Sequence, residues 1–169
     1  MCSSDLTVLR VKSWLREHTA GDKPVVLAGQ ALSSQVGATQ SGPARLLSIA
    51  PGEWLIVSHE HPALSLRGRI EHDLLEQGLV LVDLTGGLAA VEVRGSATRE
   101  LLSKGCGIDF HPRSFPAGRC VRTRFAQIPM VIECLDEPVR FELTASQSYF
   151  HYLHAWLIDA AVEFGDSFR

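Results

Sequence analysis

A change of hydrophobic period between residues 79 and 120 limits this chain more than any other feature. Residues 79–84, LVLVDL, form an apolar run with no helical repeat, which predicts a buried strand. Thr85-Gly86-Gly87 reads as a turn. In the next seven residues Ala89, Val91 and Val93 alternate with Ala90, Glu92 and Arg94, the period of a strand with one wet face. The two strands together predict a hairpin. Gly95 ends the second strand, Ser96 is suited to cap a helix, and residues 97–104 carry Leu101 and Leu102 before stopping at Gly105. A helix following a hairpin confines the chain to folds in which a helix rests on a sheet.

The flanking segments repeat that alternation. Val8, Val11, Trp14 and Leu15 stand at helical spacing and predict a short N-terminal helix ending near Gly21. Residues 29–42, GQALSSQVGATQSG, are small and polar and read as a loop or linker. ARLLSI and EWLIVS flank Pro51-Gly52 and predict a hairpin with Trp54 as a core anchor. Pro62 could open a further helix, with Leu66, Ile70, Leu74 and Leu75 on one face and Gln77-Gly78 at its close. Residues 119–127, 128–135 and 139–144 read as three more strands. The chain then closes in an amphipathic helix from a Ser146 or Ser148 cap to Gly165, with Tyr149, Leu153, Trp156, Leu157, Ala160 and Phe164 on its apolar face. This order predicts an α+β fold with mainly antiparallel sheet and helices packed on its faces. Residues 1–42 are expected to form the N-terminal helix and small-residue loop, and residues 43–169 a single α+β domain.

Bulk properties exclude several classes. Hydrophobic residues make up 46% of the 169 and charged residues 21%, the balance of a globular chain. The formal charge is −3, and Arg119, Arg122 and Arg124 alternate along one strand without forming a basic cluster, which argues against nucleic-acid binding. No apolar run approaches the about 20 residues that span a bilayer. With no signal-peptide pattern at the start, a cytoplasmic protein is expected. Cys2, Cys106, Cys120 and Cys134 are too far apart for a disulfide framework, and Cys106, His111, Cys120 and Cys134 lack compact zinc spacing. They read as reduced thiols.

No nucleophile constellation stands out. Cys106 follows a helix C-terminus, where the dipole disfavours a thiolate. Asp83 and Asp109 precede turns whose backbone N–H groups their carboxylates can cap. His151 and His154 are neighbours on the last helix without a carboxylate partner nearby, and His59, His61 and His72 read as surface residues.

The residues themselves carry a resemblance. Val82-Asp83-Leu84-Thr85, Gly95, Thr98-Arg99, Leu102-Ser103-Lys104-Gly105-Cys106, Ile108-Asp109, His111-Pro112, Phe115, Gly118 and Cys120 resemble the characteristic segment of the gamma-subunit family of heterotetrameric sarcosine oxidase. Two other stretches look like the family's: Ala50-Pro51-Gly52-Glu53-Trp54-Leu55, and residues 148–165. The family's fold is similar to the folate-binding domain of the glycine-cleavage aminomethyltransferase. The resemblance implies an accessory, non-catalytic subunit beside alpha, beta and delta subunits. Their complex would demethylate sarcosine oxidatively to glycine, with hydrogen peroxide and 5,10-methylenetetrahydrofolate as the other products. FAD, FMN, NAD, tetrahydrofolate and zinc are then expected on the partner subunits, and no cofactor, metal or catalytic residue on this chain. The match departs at residues 1–42. It departs again at Ala126-Gln127-Ile128-Pro129-Met130-Val131, where folate-using relatives place carboxylates. A free-standing folate- or pterin-binding one-carbon protein is the alternative, with Asp83 and Arg99 as candidate contacts. Within the characteristic segment, Pro112 and Pro116 stiffen a loop on which His111, Arg113 and Phe115 are the candidate subunit-interface residues, with the pinning of the loop onto its own domain as the other role open to Phe115.

Overall fold

The computed structural model describes residues 6–13, 26–27, 30–42, 44–59, 65, 67–68, 70, 74, 77–136 and 139–167. Among the described residues, two compact units divide between Gly87 and Leu88. This division does not coincide with the boundary expected after residue 42. Among the described residues all strand pairs are antiparallel, and helices pack on the second sheet, as the α+β reading anticipated.

The first unit is built on strands β1 (Thr7–Ser13), β2 (Val26–Leu27), β3 (Gln30–Ala31), β4 (Thr39–Gln40), β5 (Arg45–Ala50), β6 (Glu53–Ser58) and β7 (Leu79–Asp83). Five of them form one sheet in the order β4-β5-β6-β1-β7, and β2 pairs with β3. The hairpin β5–β6 turns at Pro51-Gly52, where Gly52 takes a φ of +66° that its lack of a Cβ allows. Trp54 is buried as expected, and its indole N–H donates to the Ser33 carbonyl at 2.9 Å. That bond, the burial of Leu32 and the pairing of β4 with β5 correct the loop reading of residues 29–42: much of the segment is packed. Ser65, Arg67, Gly68, Ile70 and Leu74 are helical, with Ile70 and Leu74 in the core beside Leu9, Val11 and Ile56. Leu66, Leu75, His61 and His72 fall outside the described residues, as do Trp14 and Leu15.

The N-terminal helix is also corrected. Thr7–Ser13 is a strand between β6 and β7 in the middle of the sheet. Leu9 and Val11 are fully buried while Arg10 is half-buried and Lys12 exposed, so the period of two is present from Leu9 to Lys12. Val8, buried on the face of Arg10 and Lys12, supplied the chance spacing of three to Val11 that reads as a helix. Strand β7 departs from expectation too. It lies on the sheet's edge and leaves Val80 and Val82 43% and 45% exposed.

The second unit pairs β8 (Leu88–Arg94), β9 (Arg119–Phe125), β10 (Ile128–Asp136) and β11 (Arg140–Ser146) in the order β8-β11-β10-β9. Strands β7 and β8 therefore form no hairpin; β7 pairs with β1 and β8 with β11. Local bonds fix the turn between them. Asp83 accepts from the Thr85 N–H at 2.9 Å, the cap expected of it, and Thr85 Oγ1 accepts from the Val8 N–H at 3.2 Å. Helix α1 (Thr98–Gly105) begins after Ala97 with no side-chain cap, so Ser96 does not play the role assigned to it. Helix α2 (Phe150–Ala161) lies between 3-10 turns at Gln147–Tyr149 and Val162–Ser167. Leu101 and Leu102 of α1 and Leu153 and Leu157 of α2 are buried with Ile132, Phe141 and Leu143 of the sheet. Among the described residues no helix is long and apolar enough to cross a membrane.

Candidate functional site

The loop that joins α1 to β9 is held from beneath by one side chain. Arg99 projects from the first turn of α1, and its Nη1 donates to the carbonyls of both Phe110 and Phe115, the latter at 2.8 Å. Its Nη2 lies 3.8 Å from Cys134 Sγ, and its guanidinium carbon sits 5.1 Å from the centre of the Phe141 ring. Phe110 and Phe115 meet edge to face at 5.5 Å, and Phe141 completes the cluster at 5.7 and 6.0 Å. The residues between the two carbonyls, 111 to 114, are all exposed. Both feet of this tip are thus clamped by a cation, and the two phenylalanines are driven into the core.

The tip closes on itself. The N–H groups of Ser114 and Phe115 donate to the His111 carbonyl at 2.9 and 2.8 Å. Asp109 Oδ1 accepts from the His111 N–H at 2.9 Å, as the turn grammar predicted, and Oδ2 accepts from the Ser114 hydroxyl. His111 Nδ1 accepts from the Arg113 N–H at 3.2 Å. The hydroxyl of Ser114, and after it the His111 N–H, hold the Asp109 carboxyl below its usual range. A folded-state value below the unfolded one, about 4, means the contribution is complete above that value and fades as acid protonates the folded carboxylate. Urea midpoints of the isolated chain should therefore fall more on acidification from about pH 6 to about pH 3 in the wild type than in Asp109→Asn. Equal acid sensitivity would remove Asp109 from this account.

The helix that feeds the loop has its own constraints. Lys104 Nζ donates to the Ala160 carbonyl at 2.7 Å, pairs with Glu163 at 2.6 Å and lies 4.6 Å from the centre of the Phe164 ring, capping the C-terminal end of α2. At Gly105 a Cβ would overlap the edge of the Phe125 ring, which is fully buried and meets Trp156 at 4.9 Å. The Gly105 carbonyl also accepts from the Ala126 N–H at 2.9 Å. Gly105→Ala should cost about 2 kcal/mol despite the better helix propensity of alanine, because the ring has nowhere to go. Thermal unfolding measures it, and a neutral result would mean that Phe125 can move aside.

The candidates from the sequence separate cleanly. His111 and Arg113 are exposed on the tip. Phe115 is not: it is 4% exposed and belongs to the core, as a foot of the loop, which fits the second of the two roles open to it. Burial pushes the Cys106 thiol up, away from a reactive thiolate. Cys120 stands opposite Glu133 and Cys134 opposite Arg119, which puts these buried thiols on different faces of the sheet. Among the described residues no group of three His, Cys, Asp or Glu side chains could hold a metal ion. His151 and His154 are exposed and flank the Phe150 ring. Sequence reasoning missed Arg99 as the organiser, since both of its acceptors lie in the loop beyond the helix.

Comparison with known proteins bears on the same segments. The family model described as sarcosine oxidase, gamma subunit family, matches residues 24–163. The sarcosine oxidase subunit gamma of Corynebacterium sp. (strain U-96) is 35% identical over 132 residues, 77% of this chain and 62% of that protein. That of Arthrobacter sp. is 31% identical over 138 residues, 80% of this chain and 66% of that protein. The chain therefore spans less than two thirds of the length of these curated relatives. Among solved structures, a chain of the heterotetrameric sarcosine oxidase from Corynebacterium sp. U-96, in complex with pyrrole 2-carboxylate, superposes with a TM-score of 0.82 at 24% identity, covering 96% of this chain and 83% of that one. Glycine cleavage system aminomethyltransferase T from Bartonella henselae gives 0.68 at 12% identity, covering 98% of this chain and 45% of that one. At these identities both structures speak to the fold alone.

Proposed function

Since the chain belongs to the sarcosine oxidase gamma subunit family, we propose that it acts as the accessory, non-catalytic gamma subunit of a heterotetrameric sarcosine oxidase. Its partners are the alpha, beta and delta subunits. The complex demethylates sarcosine oxidatively, giving glycine, hydrogen peroxide and 5,10-methylenetetrahydrofolate. FAD, FMN, NAD, tetrahydrofolate and zinc reside on the partners. One observation carries the accessory role: residues that fit the family's pattern have packing or capping work to do. Arg99 clamps the loop, Lys104 caps α2, Gly105 makes room for Phe125, Asp109 closes the tip and Phe115 fills the core. They build a platform, and the tip with His111 and Arg113 is the part it presents to a partner.

The aminomethyltransferase-like fold favours a second reading, a free-standing folate-binding protein. The residues do not fit that ligand well. The turn at Ala126-Gln127 holds both residues at positive φ and leads into Ile128-Pro129-Met130-Val131, with no carboxylate to meet a pterin. Purification of the full chain, tagged in its host, tests the proposal. A yellow, flavin-containing assembly that forms peroxide with sarcosine is expected. A colourless monomer that binds folate at micromolar concentration or tighter would replace the first reading with the second.

A further inference from the structure

Helix α2 carries a second apolar ridge, on the side away from the sheet. At about 100° per residue, His151, Ala155, Ile158 and Val162 project opposite Leu153 and Leu157, which are buried in the core. All four are exposed, Ile158 by 57% and Val162 by 72%, and they stand at intervals of four, three and four. That is the repeat of about 3.5 residues that makes a coiled-coil seam. Val162 keeps right-handed helical backbone, with φ −53° and ψ −40°, so the ridge continues past the last residue of the helix. A helix that is apolar on two opposite sides has one side more than a single sheet can cover.

A seam of this spacing is covered by another helix, and the residues that border it say which one. His154 and Asp159, both exposed, lie on its two sides. In a parallel helix pair, a residue on one border meets the residue five positions later on the other helix, and Asp159 follows His154 by five. A second copy of this chain, set parallel about a two-fold axis, therefore brings each His154 N–H to the other copy's Asp159 carboxylate. The same pairing sets Ile158 against Ile158 and Val162 against Val162, and the small Ala155 lets the backbones approach. An antiparallel pairing would place His154 beside Ala161 and Asp159 beside Tyr152, and the complementarity would be lost.

We infer that the outer ridge of α2 is a self-association surface, on which a second copy of the chain docks as a parallel, two-fold helix pair. The inference goes beyond the subunit reading and does not depend on it. Sedimentation equilibrium of the full chain, from micromolar to millimolar loading, tests it. The average mass should climb from that of one chain towards that of two. Ile158→Glu should weaken association at least about tenfold, since it seats two carboxylates side by side in the seam. Its thermal midpoint at micromolar loading should equal the wild type's, because Ile158 is exposed. His154→Glu and Asp159→Lys should each weaken association about threefold, and the two together should restore it, with the pair re-formed in reversed sign. A chain that stays monomeric at millimolar loading overturns the inference, as does a dimer indifferent to Ile158→Glu. A dimer that the paired exchange fails to restore overturns the parallel pairing and the inference with it. Should a monomeric chain join the other subunits of the host's sarcosine oxidase, and Ile158→Glu abolish that joining, the ridge belongs to a partner subunit and the second copy is ruled out.

Discussion

Phe115→Ala should destabilise the isolated chain by about 4 kcal/mol, the largest effect expected of any substitution considered in the loop. The side chain is 4% exposed and wedged between Phe110 and Phe141, at ring distances of 5.5 and 6.0 Å. Its removal forfeits the transfer of a buried ring, leaves a cavity between two aromatic neighbours, and loses edge-to-face and stacked contacts worth about 1 kcal/mol more. Phe115→Leu fills most of the volume and should cost about 1.5 kcal/mol. Urea midpoints distinguish the two variants. Were Phe115 a partner's anchor instead, Phe115→Ala would impair assembly while leaving the midpoint in place, and that pattern would sink the core assignment.

Arg99→Met should cost about 3 kcal/mol, for a different reason. The methionine keeps an apolar stem but leaves the carbonyls of Phe110 and Phe115 without their charged donor, and removes the cation from the Phe141 face. Arg99→Lys should recover less than half of the loss. Lysine is shorter, and its ammonium cannot lie flat over a ring while reaching the Cys134 sulfur as well. Beyond stability, Arg99→Met should speed hydrogen exchange at the Ser114 and Phe115 amides, because the feet of the tip are no longer tied. Unchanged exchange in a variant of lowered stability would show that the tip closes without its clamp.

The sequence disclosed the parts whose instructions are local. Pro51-Gly52 set the β5–β6 hairpin, the alternation of Phe141 and Leu143 with Glu142 and Thr144 set β11, and the spacing of Leu153 and Leu157 set α2. Asp83 and Asp109 cap the turns their positions implied. Features that depend on distant neighbours stayed hidden. Thr7–Ser13 hid its strand period because Val8 is buried on the same face as the exposed Lys12, and the turn at residues 85–87 could not disclose that β7 pairs with β1 while β8 pairs with β11. The sequence left Phe115 open between two roles for the same reason. An aromatic residue in a proline-rich loop has the composition of an interface anchor, and only the position of Arg99, on the preceding helix, shows that the loop folds it inward.

The central place of β1 also bears on how the chain comes to be folded. Its two neighbours arrive late: β6 begins at Glu53 and β7 ends at Asp83. During synthesis Leu9 and Val11 must wait for most of the first unit before either flank of their strand is paired, and closing such long loops is slow. The second unit repeats that schedule at its start, since β8 pairs only with β11, while β9, β10 and β11 follow one another through short turns. In each unit the strand made first is thus the one left unpaired longest, waiting for hairpins that are made after it.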